Sequence, residues 1–383
     1  MRITRSTALL GAFIIGAATL VAVPLLSPRH TPASSSQTSA VRGDEPAATA
    51  APAAPTAAPA PATATPRPSR SAPSPLPTMT LTSSTGRWQD TATATEIYAG
   101  GLWRNPRSQP AQQVTALLAR GDTTTATQLT PISSQPIATW LTDGATPSIT
   151  IKHVQEDIAA ATAAHRTAVF VTYAIPNRDC GGYSAGGFST STYLAWNASI
   201  ASALAGHHAV VLIEPDSIAM LGQAKCASVA TSRLALLRSV VHGYASHHID
   251  VYLDGGNSHW VKPDVMASRL QSADVAEARG FFTNVSNFYT LTDERNYAGA
   301  ISSRIGNKHF VIDISRNGRG WLGTWCNPPG AGLGANPHLV GSSHLDAALW
   351  VKTPGSSDGT CNGGPPAGTW WTDYAEALVR NRG

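Results

Sequence analysis

The residues best suited to take part in a reaction are two carboxylates that flank a proline directly after an apolar run. Residues 210–213 read Val-Val-Leu-Ile, and Glu214, Pro215 and Asp216 follow at once. Continuous apolar strands are typical of parallel sheets that are covered on both faces, where functional groups collect beyond the carboxyl ends of the strands. Asp216 is therefore a candidate for acid–base chemistry. From this stretch alone, an equally good interpretation is that Asp216 caps the following helix.

Three more aspartates occupy equivalent positions in the sequence. The predicted strands at 169–175, 250–253 and 345–351 are followed by Asp179, Asp254 and Asp358 respectively. Parallel strands would bring these loops together at one end of a sheet. A single aspartate could be a helix cap, but four that converge are harder to explain in that way.

Aromatic residues accompany the aspartates in the same loops, at Trp103, Tyr183, Trp260, Trp321 and Trp325. Carboxylates combined with flat rings in a nearly neutral domain suit a sugar polymer, because pyranose faces stack on indole while hydroxyls bond to the acids. The alternative is ordinary core packing. That alternative is weaker for Trp260 and Trp325, which lie among Gly, Asn and Pro.

Short apolar runs alternate with amphipathic stretches over the last three quarters of the chain. Strands are predicted near 97–103, 169–175, 210–213, 250–253, 281–285, 310–314 and 345–351, and helices at 192–204, 228–244, 263–279, 293–305 and 370–380. This alternation predicts an α/β fold of about seven parallel strands joined by right-handed crossovers, either closed into a barrel or open. No glycine-rich phosphate loop follows any strand, which weakens a nucleotide-binding function.

The first 80 residues differ from the rest in composition. Residues 1–29 combine Arg2 and Arg5 with a long apolar run, which predicts a signal peptide, with an uncleaved membrane anchor left open. Residues 30–80 are rich in Ala, Pro, Thr and Ser and predict a disordered linker. The folded domain would be residues 81–383, exported from the cell.

The charge of the chain lies in its first 80 residues, where six arginines and two acids account for the whole net charge of +4. The remaining domain is therefore nearly neutral. A nucleic-acid partner would need a basic face within this domain, so we expect none. An uncharged ligand fits better.

Four cysteines, Cys180, Cys226, Cys326 and Cys361, all lie in the predicted domain. An even number in an exported chain predicts disulfides, although four cysteines allow three connectivities. Zinc is the rival interpretation, but no C-x-x-C or His-Cys spacing supports it. We therefore expect neither a metal nor a cofactor.

The predicted domain resembles glycoside hydrolase family 6, the inverting cellulases. The stretches that carry the resemblance are VTYAIPNRDC (171–180), VVLIEPDSIAMLG (210–222), VYLDGGNSHW (251–260), TNVSNF (283–288), FVIDISRNGRG (310–320), WCNPPGAGLGANP (325–337), LDAALWVK (345–352) and SSDG (356–359). They follow the order of the family across residues 90–381. The resemblance implies a distorted, TIM-barrel-like sheet of about seven parallel strands, with the active site across their carboxyl ends.

The resemblance also assigns catalytic roles. It implies that Asp216 is the general acid, that Asp179 raises the pKa of this acid by like-charge repulsion and helps to pass protons, and that Tyr173 packs beside the distorted sugar ring. The base would be either Asp358, acting directly, or Asp179, acting through a water relay. The resemblance pairs Cys180 with Cys226 and Cys326 with Cys361.

Sugar-binding positions carry over in the same way. They are Trp103, Asn105, Asp254, Asn257, Trp260, Asn284, Trp325, Lys352 and Ser356. Three residues depart from the family pattern. Ala185, with Ser184 before it, replaces a serine, Asn257 replaces a histidine, and Ser356 replaces a glutamate. These changes leave the acid intact and put the water relay and one sugar contact in doubt.

Two short loops bear on the mode of action. Only eight residues separate Cys180 from Ser189, and residues 353–369 form a short segment rich in Gly and Pro. Processive family members roof the cleft with long insertions at both places, so the short loops predict an open cleft and an endo-acting β-1,4-glucanase on cellulose. The alternatives are an exo-acting cellobiohydrolase of the same family and a catalytically impaired, wall-associated glycan-binding protein. We expect a monomer.

Overall fold

The strand that ends just before Glu214 is buried at all of its residues, as its apolar run predicts. The computed structural model describes residues 91–383. The predicted signal or anchor segment (1–29) and the predicted linker (30–80) lie outside the described residues, so both stay predictions.

Eight strands and nine α-helices make up the described part of the chain. The strands are β1 Thr139–Thr142, β2 Ala168–Tyr173, β3 Ala209–Ile213, β4 Asp250–Asp254, β5 Gly280–Thr283, β6 His309–Asp313, β7 His338–Ser342 and β8 Leu345–Leu349. The helices are α1 Ala94–Ile97, α2 Gln109–Ala119, α3 Thr123–Ser133, α4 Pro147–Ala163, α5 Thr190–Leu204, α6 Ala230–Ser246, α7 Pro263–Ser272, α8 Leu291–Ser302 and α9 Thr372–Arg380.

The strands form one curled sheet in the order β1-β2-β3-β4-β5-β6-β8-β7. All neighbours are parallel except β7, which pairs with β8 in the antiparallel direction. The predicted α/β fold with about seven parallel strands is therefore confirmed. The carboxyl ends of these seven strands lie on one rim of the sheet, because parallel strands point the same way.

The two faces of the sheet bury different residues. Along β3, Val211 and Ile213 pack in the large core between the sheet and the helices, whereas Val210 and Leu212 pack in a smaller core inside the curl. This alternation follows from the two-residue period of a strand. Burial on both faces explains why the sequence is continuously apolar here.

The curl brings the first and last parallel strands close together near the functional rim. The backbone amide of Ala138 donates to the carbonyl of Trp350 at 3.0 Å, and the indole nitrogen of Trp140 donates to the carbonyl of Val351 at 2.8 Å. These single bonds replace a full ladder between β1 and β8. The loops that follow the two strands consequently face each other.

The strand predicted near residues 97–103 is not formed. Ile97 ends helix α1, Gly100 and Gly101 adopt positive φ angles of 72° and 87°, and Leu102 makes only an isolated bridge to Thr167. The two glycines turn the chain where an extended strand was expected. The first strand is instead β1, in a region where the apolar pattern had not predicted one.

Two disulfides, Cys180–Cys226 and Cys326–Cys361, join the loops of the functional rim, as the resemblance implied. They span 46 and 35 residues, and the chain-entropy relation gives each about 4 kcal/mol of stabilisation. Within residues 91–383, none of the helices has the length and apolar character needed to cross a membrane.

Candidate active site

A cavity of about 610 Å³ opens at the carboxyl ends of the strands. Its walls come from the segment that leads into α2, from β1 and from the loops after β1, β2, β3, β5, β6 and β8, so residues far apart in the sequence meet there. The predicted site residues that line it are Asn105, Tyr173, Asp216, Trp325, Lys352, Ser356 and Asp358.

Asp216 is presented by a sharp turn after β3. Both Glu214 and Asp216 have positive φ angles, 53° and 69°, which are uncommon for residues other than glycine and which turn the chain abruptly. Burial raises the pKa of Asp216 well above its ordinary value, and the negative charges of Asp254 and Asp179 raise it further. Asp216 is thus suited to carry a proton near neutral pH.

Asp254 holds the turn that carries Asp216. Its carboxylate accepts hydrogen bonds from the backbone amides of Ile218 (2.9 Å), Ala219 (2.8 Å) and Gly256 (3.0 Å) and is itself buried. Burial raises the pKa of Asp254, but these donors stabilise the ionised form. Of the two neighbouring carboxyls, Asp254 is therefore the anion and Asp216 the group that takes the proton.

Asp179 is connected to Tyr173 through Ser184. The backbone amide and the hydroxyl of Ser184 both donate to Oδ2 of Asp179, at 2.9 and 3.1 Å, and the hydroxyl lies 2.9 Å from that of Tyr173. A serine hydroxyl has one hydrogen, so Tyr173 must be the donor in the second contact. This leaves a directed chain of hydrogen bonds from Tyr173 to Asp179.

The ring of Tyr173 is fixed from both sides. Trp140 contacts it edge-on, with ring centroids 5.2 Å apart, and the guanidinium of Arg178 lies 4.7 Å from the ring centroid. Burial raises the pKa of Tyr173. The phenol therefore stays neutral and can act only as a hydrogen-bond donor or packing surface.

Asp358 is held between two cations. Arg316 donates to Oδ2 at 2.8 Å, and the ammonium of Lys352 lies 3.0 Å from Oδ1, while the backbone amide of Asn327 adds a bond of 3.0 Å. Burial alone would raise the pKa of Asp358, but Arg316 and Lys352 outweigh it and hold the pKa below its ordinary value. Asp358 is therefore ionised and weakly basic.

Ser356, one of the three departures from the family pattern, lines the same cavity as the ion pair of Lys352 and Asp358. Ser356 is buried and lines the cavity together with Lys352. A serine cannot neutralise an ammonium, and the carboxylate that Lys352 contacts is that of Asp358. The departure at Ser356 therefore leaves Asp358 to balance Lys352.

Several predicted sugar-binding residues lie away from the cavity lining. Trp103 is 8% exposed and packs in the main core, Asn284 is fully buried with its amide bonded to backbone groups, and Asn257 is buried with its oxygen accepting from His259. Trp260 is half-buried and packs against the core. Asn105 does line the cavity, but its amide is bonded to Asp157 and Thr139.

Other residues in the site were not singled out from the sequence. Trp140, within β1, and Asp143, directly after β1, line the cavity, and Arg316 pairs with Asp358. The stretch Thr139 to Asp143 repeats the pattern of a short apolar strand followed by an aspartate, and this signal could have located β1. Arg316 gave no such signal, because its role depends on a distant loop.

The two short loops contact each other through Tyr183 and Gly359, and Tyr183 also lies near Trp325 in the loop after β6. Tyr183 and Trp325, 54% and 46% exposed, line the cavity with ring centroids 6.1 Å apart. A Cβ placed on Gly359 would lie 2.7 Å from the ring of Tyr183, so the ring packs directly on that backbone. The two short loops are therefore in contact at the cavity wall through the ring of Tyr183.

Known proteins are similar to this chain in sequence and in fold. The endoglucanase A of Cellulomonas fimi is 42% identical over 66% of the chain, and that of Thermobispora bispora is 37% identical over 74%. The chain covers 56% and 63% of the length of these two relatives. The structure of the endoglucanase Cel6 from Mycobacterium tuberculosis, in complex with methyl-cellobiosyl-4-deoxy-4-thio-β-D-cellobioside, superposes with a TM-score of 0.68 at 37% identity, covering 74% of this chain and 98% of that one.

The family assignment follows from these matches together with the architecture of the rim. The profile of glycosyl hydrolases family 6 matches residues 98–382, which include every strand and the whole cavity lining. The chain belongs to glycosyl hydrolases family 6.

Proposed function

We propose that the protein is an endo-β-1,4-glucanase that hydrolyses internal glucosidic bonds of cellulose with inversion. The observation that carries the proposal is the position of Asp216. It lines a cavity large enough for sugar units, and burial and neighbouring carboxylates raise its pKa. An acid that is protonated near neutral pH, next to exposed aromatic rings, is what cleavage of a neutral glycan requires.

In the proposed reaction, Asp216 donates its proton to the glycosidic oxygen as the bond from this oxygen to the anomeric carbon breaks. A water molecule attacks the anomeric carbon from the opposite face of the sugar, and its proton passes to a carboxylate. The products are a free hydroxyl on the leaving chain and an inverted hemiacetal. The reaction uses only water and side chains, so it needs no cofactor.

Two carboxylates are candidates for the base. Asp358 lines the cavity, but its two cationic partners lower its basicity, and a weak base is a poor proton acceptor. Asp179 is linked to Tyr173 through Ser184, which suits a relay and a role in raising the pKa of Asp216. We favour Asp179 for proton transfer and keep Asp358 as the alternative.

Export to the cell exterior is part of the proposal. Residues 1–29 have the composition of a signal peptide, and residues 30–80 that of a linker to a domain that begins at about residue 81. The amino-terminal sequence of the protein recovered from culture medium tests cleavage. Recovery in the membrane fraction with Arg2 and Arg5 still present would establish an anchor instead. Sedimentation of the purified protein tests whether it is a monomer.

The activity is tested with the full chain on carboxymethylcellulose, with viscosity and reducing ends followed together. We expect a rapid loss of viscosity for few new ends. Asp216→Asn should lower the rate by a factor of about 10² to 10⁴, the range typical of a general acid. Asp373→Asn, at an exposed position outside the cavity, is the matched control.

Two outcomes would replace the proposal. Reducing ends that accumulate with little loss of viscosity would indicate an exo-acting cellobiohydrolase. Binding of cello-oligosaccharides without release of reducing ends would indicate a glycan-binding protein that has lost turnover.

A further inference from the structure

Three rings stack in a row outside the residues that line the cavity. The rings of His259 and Tyr289 lie 4.2 Å apart with an interplanar angle of 12°, and those of Tyr289 and Trp321 lie 5.0 Å apart at 10°. We refer to His259, Tyr289 and Trp321 as the aromatic ladder. Nothing in the acid–base chemistry above uses it.

The aromatic ladder follows the functional rim of the sheet. His259 comes from the loop after β4, Tyr289 from the loop after β5 and Trp321 from the loop after β6. These three strands are consecutive neighbours in the sheet, and all are parallel. The ladder therefore runs along the same rim that presents Asp216 from β3.

Polar side chains hold the backbone on which the ladder stands. The carbonyl of Tyr289 accepts bonds from the amides of Asn284 (3.1 Å) and Asn317 (3.3 Å). The backbone amide of His259 donates to the side-chain oxygen of Asn257 at 3.1 Å. The backbone amide of the preceding residue, Ser258, donates to the carboxylate of Glu294 on α8. These bonds fix the backbone that carries the rings before any ligand arrives, which reduces the entropy that binding would cost.

Exposure of apolar surface is concentrated at the outer end of the ladder. Among the described residues, seven large apolar side chains are exposed, and three of them, Trp321 (41%), Leu322 (40%) and Trp325 (46%), lie within one five-residue segment. A single exposed apolar side chain is ordinary, but several clustered in one segment are typical of a binding surface. One face of Trp321 packs on Tyr289, which leaves the other side of the ring for a ligand.

The same segment connects the ladder to the cavity. Trp325 lines the cavity, and Trp321 lies four residues before it, so their Cα atoms are at most about 14 Å apart. On the other side, Ser286 lines the cavity three residues before Tyr289. A sugar chain that leaves the cavity past Trp325 would therefore reach Trp321 after a few units.

We propose that the aromatic ladder is an accessory binding site for a β-1,4-glucan chain, with Trp321 as its stacking surface. Neutral sugars suit it because the outer face of Trp321 is flat and apolar, and the polar groups behind the ladder are hydrogen-bonded to protein rather than directed outward. The site would retain a long chain while internal bonds enter the cavity. This inference rests on the proposed glucanase function.

The test compares long and short ligands in the full chain. With Asp216→Asn as background, Trp321→Ala should weaken the affinity for soluble cellulose polymer by about threefold to tenfold, as expected for loss of one stacking contact. The affinity for cellobiose should change by less than the affinity for polymer. Trp321→Phe should recover most of the loss, and Leu322→Ala, equally exposed and adjacent, should cause none.

The outcomes separate this inference from the proposed function. If Trp321→Ala in the Asp216→Asn background binds polymer as tightly as Asp216→Asn alone, the accessory site is overturned. The proposed glucanase function would not be affected by that result. An equal loss for polymer and cellobiose would also overturn it, because the ladder would then merely support the cavity. Thermal unfolding of Trp321→Ala, expected within a few degrees of the background, checks that the variant is folded.

Discussion

Ser184 donates two hydrogen bonds to a single carboxylate oxygen of Asp179, one from its backbone amide at 2.9 Å and one from its hydroxyl at 3.1 Å. The family pattern places a serine one residue later, where this chain has Ala185. The hydroxyl is therefore present but held directly by Asp179, and its remaining acceptor site faces Tyr173 at 2.9 Å. The proposed relay would therefore run through side chains in direct contact at this point.

Removal of the Ser184 hydroxyl should break the link between Tyr173 and Asp179. Because the backbone bond to Asp179 remains, we expect Ser184→Ala to fold normally and to lower kcat by about tenfold with little change in KM, below the usual range for a full acid–base group. The pH profile of kcat should change shape as well. Ser268→Ala, an exposed serine on α7, is the control, and an unchanged pH profile in Ser184→Ala would count against a relay.

Ser356→Glu would place a carboxylate four residues from Lys352, inside the cavity. The new acid should compete for the ammonium, so that Asp358 loses one of its two cations and the pKa of Asp358 rises toward its ordinary value. If Asp358 is the base, activity requires its ionised form, and the acidic limb of the kcat profile should move to higher pH. Ser356→Gln controls for size. A limb that stays in place would leave Asp179 as the base.

Tyr183 joins the two short loops by packing on Gly359, and this contact should limit entry of a polymer from the side. Its ring packs on Gly359 and lies 6.1 Å from Trp325. We expect Tyr183→Ala to raise kcat/KM on carboxymethylcellulose by about threefold, and to lower it on cellotetraose because one ring contact is lost. Tyr183→Phe should behave as the parent protein does. A fall on both substrates would mean that the ring acts only as a sugar contact.

Two buried glutamates should make the protein more stable in mild acid than at neutral pH. Burial raises the pKa of Glu214 and that of Glu294 to about 7, from 4.5 in the unfolded chain, although backbone donors oppose the effect. Folding therefore favours the protonated acids, and this stabilisation is complete below about pH 4.5 and lost as pH rises through about 7. Each could change the free energy of unfolding by about 3 kcal/mol.

Urea unfolding at pH 5 and pH 8 measures this dependence. In Glu294→Gln the side chain keeps an acceptor for the amide of Ser258 but no longer titrates, so the loss of stability between the two pH values should be smaller than in the parent. Glu376→Gln, on helix α9, should lose as much stability between the two pH values as the parent protein does. A dependence that is the same in Glu294→Gln and the parent would contradict the assignment.

Much of the sheet and the position of Asp216 could be predicted because they depend on local pattern. The buried strand β3 needs a continuous apolar run, and the parallel arrangement needs only alternation of strand and helix. The position of Asp216 follows from both, since the end of a strand is visible in the sequence. Strand β1 was missed because its apolar run is short. The helices on either side of it also show only a weak separation of apolar and polar residues, so the strand does not stand out from them.

The sequence by itself determined which residue types gather at the rim, and only the tertiary structure decided what each one contacts. Trp103 and Trp325 were both predicted to bind sugar, yet Trp103 is buried in the core and Trp325 lines the cavity. Asp254 and Asp216 end neighbouring strands, yet backbone amides hold the first as an anion and leave the second to carry a proton. The physical reason is that exposure and pKa depend on the loops packed around a side chain, and those loops come from distant parts of the chain.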